Sequence, residues 1–306
     1  MTFKKPILVT GLNRSGTTWV GHMLALSPSI GYIHEPFNLS CHRGICDAPF
    51  TRWFTYVTDE NEQLFYRHIK NTLKFKYNLL SGLKATRSFK SLPLLIRTFC
   101  NTAKCRYQRA RPLMKDPVAI FSTEWLASRF DMDVVVMIRH PAAYVSSIKR
   151  LNWGTVFGHF RDQELLMRDH LHPFENEIRM FASENHDIID NAILSWKVMI
   201  HVIQKYMQKY TDWIFLSHED ISLRPIEEFR NLYNCLGLDF LEHFEQTIIE
   251  HCEASDAKQN PEPFNIKRNS KTNVTAWKNR LNEYEIKRVR AELGEIAYQF
   301  YDDKYW

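Results

Sequence analysis

The stretch from Lys4 to Leu24, KKPILVTGLNRSGTTWVGHML, constrains this chain more than any other. An apolar run (Pro6, Ile7, Leu8, Val9) leads into Gly11, a polar loop from Leu12 to Ser15, Gly16, and then Thr17, Thr18 and a segment that reads as helix. A strand, a glycine-framed loop and a helix in that order predict an α/β chain. Backbone N–H groups of such a loop, with a helix N-terminus behind them, can hold an anion.

The spacing from Gly11 to Gly16 copies the phosphate-binding P-loop, whose next residue is Lys; here it is Thr17. Without that Lys to reach the outer phosphates, a nucleoside triphosphate fits poorly. The basic residue stands earlier, at Arg14. Arg14-Ser15-Gly16-Thr17-Thr18-Trp19 resembles the first nucleotide-binding loop of the sulfotransferases that use 3′-phosphoadenosine 5′-phosphosulfate (PAPS). That resemblance implies an α/β, P-loop-NTPase-like three-layer fold: a central parallel β-sheet flanked by helices, with helical insertions forming the acceptor site. It also implies PAPS as co-substrate, the bisphosphate PAP as product, no metal, and cofactor contacts from Arg14, Ser15, Gly16, Thr17 and Thr18. Trp19 either stacks on adenine, as the matching Trp does in cytosolic relatives, or anchors the first helix in the core.

With 306 residues, 44% of them hydrophobic, the chain can bury a large core, and we read residues 1–306 as one domain with a helical insertion at about 38–111. No stretch approaches the ~18 uninterrupted apolar residues of a membrane span. The first strand begins too soon for a signal peptide, so the expected location is cytoplasmic. The six cysteines read as isolated thiols. Cys41/Cys46 and Cys100/Cys105 each enclose four residues, whereas paired zinc thiolates usually enclose about two.

The formal charge of +5 is unevenly spread: between Gln63 and Lys115 there are thirteen Lys or Arg and no Asp or Glu. Those cations alternate with Leu64, Phe65, Ile69, Leu73, Phe75, Leu79 and Leu80. One reading is a basic amphipathic segment facing an anionic acceptor or a membrane; burial of the apolar stripe in the core would give the same pattern.

A strand from Ile30 to Ile33 ends at His34-Glu35-Pro36. In a parallel α/β sheet, ligands bind at the carboxyl ends of strands, which sets Glu35 on the edge that carries the first loop. His34-Glu35-Pro36-Phe37 resembles the segment that supplies the general base in carbohydrate and tyrosylprotein sulfotransferases. A Glu satisfied by a neighbouring cation or by backbone N–H groups is the plainer reading. His34 is a rival base, one residue out of phase on an extended segment. Arg111 to Met114 reads as another strand, ending in Lys115-Asp116-Pro117; this triplet resembles one in the carbohydrate branch, where the Lys lies near the transferring group. Asp116 could equally cap the helix after Pro117.

The strongest strand signal is Asp133 to Ile138, a run of β-branched residues without alternation, as a strand covered on both faces requires. Arg139-His140-Pro141 follows, then Ser147, and this arrangement resembles the signature that grips the 3′-phosphate of PAPS. Guanidinium suits phosphate because two charge-assisted hydrogen bonds form at once. Arg139 and Ser147 can face one ligand only if the loop folds back over the helix start. Residues 153–186 read as loop and helix, 185–210 as a long core helix, and 213–216 as a last strand, followed by His218 where relatives often carry Tyr. Lys271 is the nearest candidate for a further 3′-phosphate contact ahead of Trp277-Lys278, with Arg268 as its substitute.

Together these features predict a sulfotransferase moving a sulfuryl group from PAPS to a saccharide or glycolipid hydroxyl, with Glu35 as general base and Arg14 and Lys115 as charge stabilisers. Peripheral membrane contact is part of that expectation and nucleic acid is not. The alternatives are a P-loop-type kinase, against which Thr17 speaks, and a non-catalytic nucleotide or membrane-surface module.

Overall fold

The computed structural model describes residues 5–41, 44–85, 92–252 and 270–306. Five strands, β1 (Ile7–Gly11), β2 (Ile30–His34), β3 (Arg111–Lys115), β4 (Asp133–Ile138) and β5 (Ile214–Ser217), form one parallel sheet in the order β2-β3-β1-β4-β5. All five residues of β1 are buried, as are the last five of β4. Each such Val, Ile or Met side chain contributes about 1.5–3 kcal/mol by leaving water. These runs lack alternation because neither face of the strand meets solvent.

The chain divides into two compact units. One comprises Met1–Gly11 with Val20–Val135, the other Leu12–Trp19 with Val136–Trp306.

In the first unit, β3 pairs in parallel with both β1 and β2, and the register sets Lys115 abreast of Val9 on one side and of His34 on the other. Helix α1 (Thr17–Leu24) enters this unit at Val20. Its Gly21 makes room for the Lys115 stem: a Cβ there would come within 3.1 Å of the Lys115 Cγ. Between β2 and β3 the described residues contain helices and no strand, including α2 (Tyr66–Leu73), α3 (Leu79–Ala85) and α4 (Leu92–Tyr107). The basic, apolar segment divides along its length. Phe65, Ile69, Leu73 and Phe75 are core, whereas Leu64, Leu79 and Leu80 are exposed. Helix α5 (Thr123–Phe130) then ends at Asp131 in the left-handed conformation, and the chain returns through β4.

In the second unit, Pro141 starts helix α6 (Pro141–Leu151), where its missing N–H and fixed φ suit the first turn. The helix Ile188–Lys209 is capped by Asp187, whose side chain accepts from the Ile189 and Asp190 N–H groups. Trp196, Met199, Ile200 and Ile203 are buried along it. Residues 153–186 hold more helix than the sequence suggests, including Gly158–Arg161 and Glu175–Ser183.

Candidate functional site

In the second unit the glycine-framed loop is held by its own backbone and by β4. Leu12 N–H donates to the Met137 carbonyl at 3.0 Å, and both the Ser15 N–H and hydroxyl donate to the Leu12 carbonyl. Gly16 has a φ of 93°, and a Cβ at this position would stand 2.7 Å from the His218 Nδ1. Any side chain here would be strained and would strike that ring. The loop therefore presents backbone at this point.

Arg14, also at positive φ (69°), ties the two sequence signatures together. Its Nε donates to the Ser147 hydroxyl at 3.2 Å, and its carbonyl accepts from the Arg139 Nη1 at 2.5 Å. Its guanidinium lies over the Trp153 ring, 5.4 Å from the centroid. Arg139 is 6% exposed and Ser147 3%. Arg139 and Ser147 are thus linked through Arg14 of the glycine-framed loop.

Around this cluster, Asn13 accepts from the Tyr144 hydroxyl at 2.9 Å, and Tyr144 bonds in turn to Ser195 at 3.0 Å. Burial raises the Tyr144 phenol to about 12. The carboxyl of Glu219 accepts from the His140 N–H at 3.1 Å and from the Tyr301 hydroxyl at 2.8 Å. Its pKa is raised, burial outweighing the opposing charge of Arg139. His140 is sealed among Trp277, Tyr301 and Trp306, and burial, then Lys278 and Arg139, lower it to about 3.

Thr17 is buried and Thr18 half-buried. Trp19 is 9% exposed and packs edge-on against Phe229 at 5.3 Å, a core position. Lys271 is exposed, on the short helix Ser270–Thr275, and its neighbour Asn273 bonds to the buried His218 at 3.3 Å. Arg268 lies outside the described residues.

In the first unit, the ends of β2 and β3 carry a carboxylate–ammonium pair. Glu35 leaves the strand at once, with φ 43°. The extended geometry that would oppose it to His34 therefore stops one residue earlier. Glu35 N–H donates to the Lys115 carbonyl at 2.8 Å, its Oε1 takes the Lys115 Nζ, and its Oε2 accepts from the Asn38 amide at 2.7 Å. Lys115 is fully buried and Glu35 is 9% exposed. Burial pushes the Glu35 carboxyl up, but the charge and hydrogen bond of Lys115, helped by His34 and Asn38, prevail and hold it below the usual carboxylate range. His34 is open to solvent on its outer edge. Desolvation of its ring, then Lys115, lower it to about 4.

Behind the pair stands Asp116, fully buried. One oxygen accepts from the Val118 N–H at 3.0 Å, the capping role expected of it; the other accepts from the Phe37 N–H at 2.7 Å. Burial, then the Glu35 charge, raise it to about 7. Asp116 thereby fixes the chain on both sides of the pair, since Phe37 follows Glu35 by two residues.

Several participants carry no sequence signal of their own. Asn38, Asn13, Tyr144, Trp153 and Glu219 gain meaning only from what they touch. Asn38, three residues after Glu35, could have been suspected as the usual reach of a local amide–carboxylate contact.

The sequence profile of the Sulfotransferase family matches residues 6–242. No curated protein matches the chain. Among solved structures it is similar to a sulfotransferase domain from the curacin biosynthetic pathway, at 14% identity over 96% of this chain and 99% of that one, with a TM-score of 0.48. It is also similar to retinol dehydratase, solved with androsterone and the inactive cofactor PAP, at 14% identity over 97% of this chain and 82% of that one, TM-score 0.46. Mouse sulfotransferase SULT7A1, complexed with PAP, is 12% identical over 98% of this chain and 87% of that one, TM-score 0.43. The profile takes in the glycine-framed loop, the Glu35–Lys115 pair and the Arg139–Ser147 segment in a single match, and on that match the chain belongs to the sulfotransferase family.

Proposed function

We propose that this chain, a transferase by family, moves a sulfuryl group from PAPS to a hydroxyl of a saccharide or glycolipid, and that residues 1–306 act as one sulfotransferase domain in the cytoplasm. The observation that carries the reading is the meeting of Arg139, Arg14 and Ser147 at the glycine-framed loop. A phosphate oxygen offers the Arg139 Nη1 and the Arg14 Nε what a carbonyl and a hydroxyl do not, a full negative charge and the geometry for a two-bond guanidinium fork. Gly16 lets the buried His218 ring pack directly on the loop, and the loop N–H groups with the α1 N-terminus behind them are the anion donors. This donor set suits a nucleotide with two separate anionic groups. When bound, PAPS supplies the activated sulfuryl group.

In this reading Arg14, Ser15, Gly16, Thr17 and Thr18 hold the 5′ end of the nucleotide, and Arg139 and Ser147 hold the 3′-phosphate. Lys271 adds an outer cation, and Trp19 serves the adenine end or the core beneath it. Glu35 takes the proton from the acceptor hydroxyl. It is ionised at neutral pH, as a base must be, and departure of Lys115 from the pair would raise its basicity. Lys115 neutralises it at rest and stabilises negative charge as the hydroxyl attacks, and Arg14 stabilises the charge left on the nucleotide. The thirteen cations of the 63–115 stretch favour an anionic acceptor. A kinase reading would need the P-loop Lys, whose place Thr17 takes.

Radiolabelled PAPS offered with pools of glycans, glycolipids, steroids and tyrosyl peptides tests cofactor and acceptor together. Label is expected in a saccharide fraction. PAPS bound but never consumed would overturn the enzyme, and label only in steroid or peptide would overturn the acceptor class.

A further inference from the structure

Helix α4 is sixteen residues long, yet Leu95 is its one buried residue. Helices of this length draw most of their stability from packing an apolar face, and α4 turns its apolar face outward. Leu92, Ile96, Phe99, Ala103 and Tyr107 recur at helical spacing, so they share one side. Leu92 is 37% exposed, Ile96 52%, Phe99 39% and Tyr107 90%. Arg97 and Lys104 stand seven residues apart along one edge of that face, and Arg106 lies on the other.

Helix α3 extends the surface with Leu79, Leu80 and Leu83, exposed by 42%, 71% and 45%. The two helices touch, and Tyr77, just before α3, packs edge-on against Phe99 at 5.8 Å. Contiguous exposed apolar residues rimmed by polar ones mark a surface that something covers.

Charge selects the occupant. The segment from Gln63 to Lys115 has no Asp or Glu, so a second copy docking by this face would set cations against cations. The partner must be anionic around the edges and apolar at the centre. An anionic lipid leaflet has both properties in the geometry an interfacial helix needs: headgroups at the level of the cations and acyl chains below. At about 1.5 Å per residue α4 is too short to span a bilayer, and no described helix is long and apolar enough to cross one.

We propose that the outward face of α3 and α4 docks this protein on anionic membrane surfaces, with α4 lying in the interfacial plane. The proposal is independent of sulfuryl transfer and is read without measuring it.

Flotation with phosphatidylcholine vesicles, with and without phosphatidylserine, is the test. The protein is expected to float with the anionic vesicles alone and to be released by high salt. Arg97→Gln and Lys104→Gln should each lower vesicle affinity about fivefold. Ile96→Asn should lower it roughly tenfold or more. All three positions are exposed, and the melting temperature of each variant should match the parent. Absence of flotation, equal binding to neutral vesicles, or binding unchanged in the double charge variant would overturn the proposal. So would a dimer, seen by sedimentation without lipid, that Ile96→Asn dissolves.

Discussion

The two units each place charged side chains just beyond parallel strands, and they treat charge in opposite ways. In the first, Glu35 and Lys115 neutralise one another beneath the surface, with Asn38 bonded to the second Glu35 oxygen and Asp116 holding the backbone at Phe37 and Val118. In the second, Arg14 and Arg139 meet at a loop where one donates to a hydroxyl and the other to a carbonyl. A self-neutralised pair is costly to break and well suited to moving a proton, because either partner's ionisation alters the other's. Two guanidinium groups drawn to one loop concentrate positive charge there and are suited to holding an incoming anion. On the proposed reading the contrast assigns proton chemistry to one side and nucleotide binding to the other, and substitutions on the two sides should then fail differently.

The largest effect is expected from Glu35→Gln. Turnover with PAPS should fall by about 10²- to 10⁴-fold while PAP affinity, measured by calorimetry, stays within experimental scatter. A Glu35→Gln enzyme turning over at the parental rate would remove the base. Next is Lys115→Met, which strands a buried carboxylate and should cost about 3–5 kcal/mol in denaturant unfolding. Adding Glu35→Gln to it should restore much of the loss, because the stranded charge is gone. An additive double variant would mean the two residues do not act as a pair.

On the other side, Arg139→Ala should weaken adenosine 3′,5′-bisphosphate roughly 10- to 100-fold and adenosine 5′-phosphate far less, the size of a lost hydrogen bond to a charged group. Equal losses for both nucleotides would count against a 3′-phosphate grip.

Stability against pH changes gradually, and its slopes run in opposite directions in the two units. His140 sits at about 3, below its ordinary 6.5, so the folded state binds fewer protons and its contribution is lost as pH falls from 6.5 toward 3. Asp116 sits at about 7, above its ordinary 3.8, so the folded state binds more protons and stability declines as pH rises through that window. Each slope is about 1.4 kcal/mol per pH unit at most. The two windows overlap between pH 3.8 and 6.5, where the opposing slopes offset each other, so melting curves of His140→Phe should leave stability falling with rising pH there and those of Asp116→Asn should leave it rising.

Much of this was legible before any fold was known. Strand β4 announced itself because an unbroken β-branched run has little other use, and Pro141 marked the start of α6 to the residue. Asp116 as a cap followed from its place before Pro117. The basic stretch was legible only as a choice between core and surface. The fold divided it, burying Phe65 and Ile69 and leaving Leu79 and Leu80 outside, because a pattern of apolar residues does not say which neighbours arrive to cover it.

What the chain determined by itself is local: a strand, a glycine at φ 93° where no other residue fits, a helix start, and a guanidinium two residues before that glycine. These depend on spacing and on backbone sterics within a few residues, and those are written in order along the sequence. Only the tertiary structure decided that Lys115 answers Glu35 across 80 positions and that Arg14 reaches Ser147 across 133. The first pairing follows from the register of β2 on β3, and the second from the folding of the loop onto α6. Neither is a property of any segment alone.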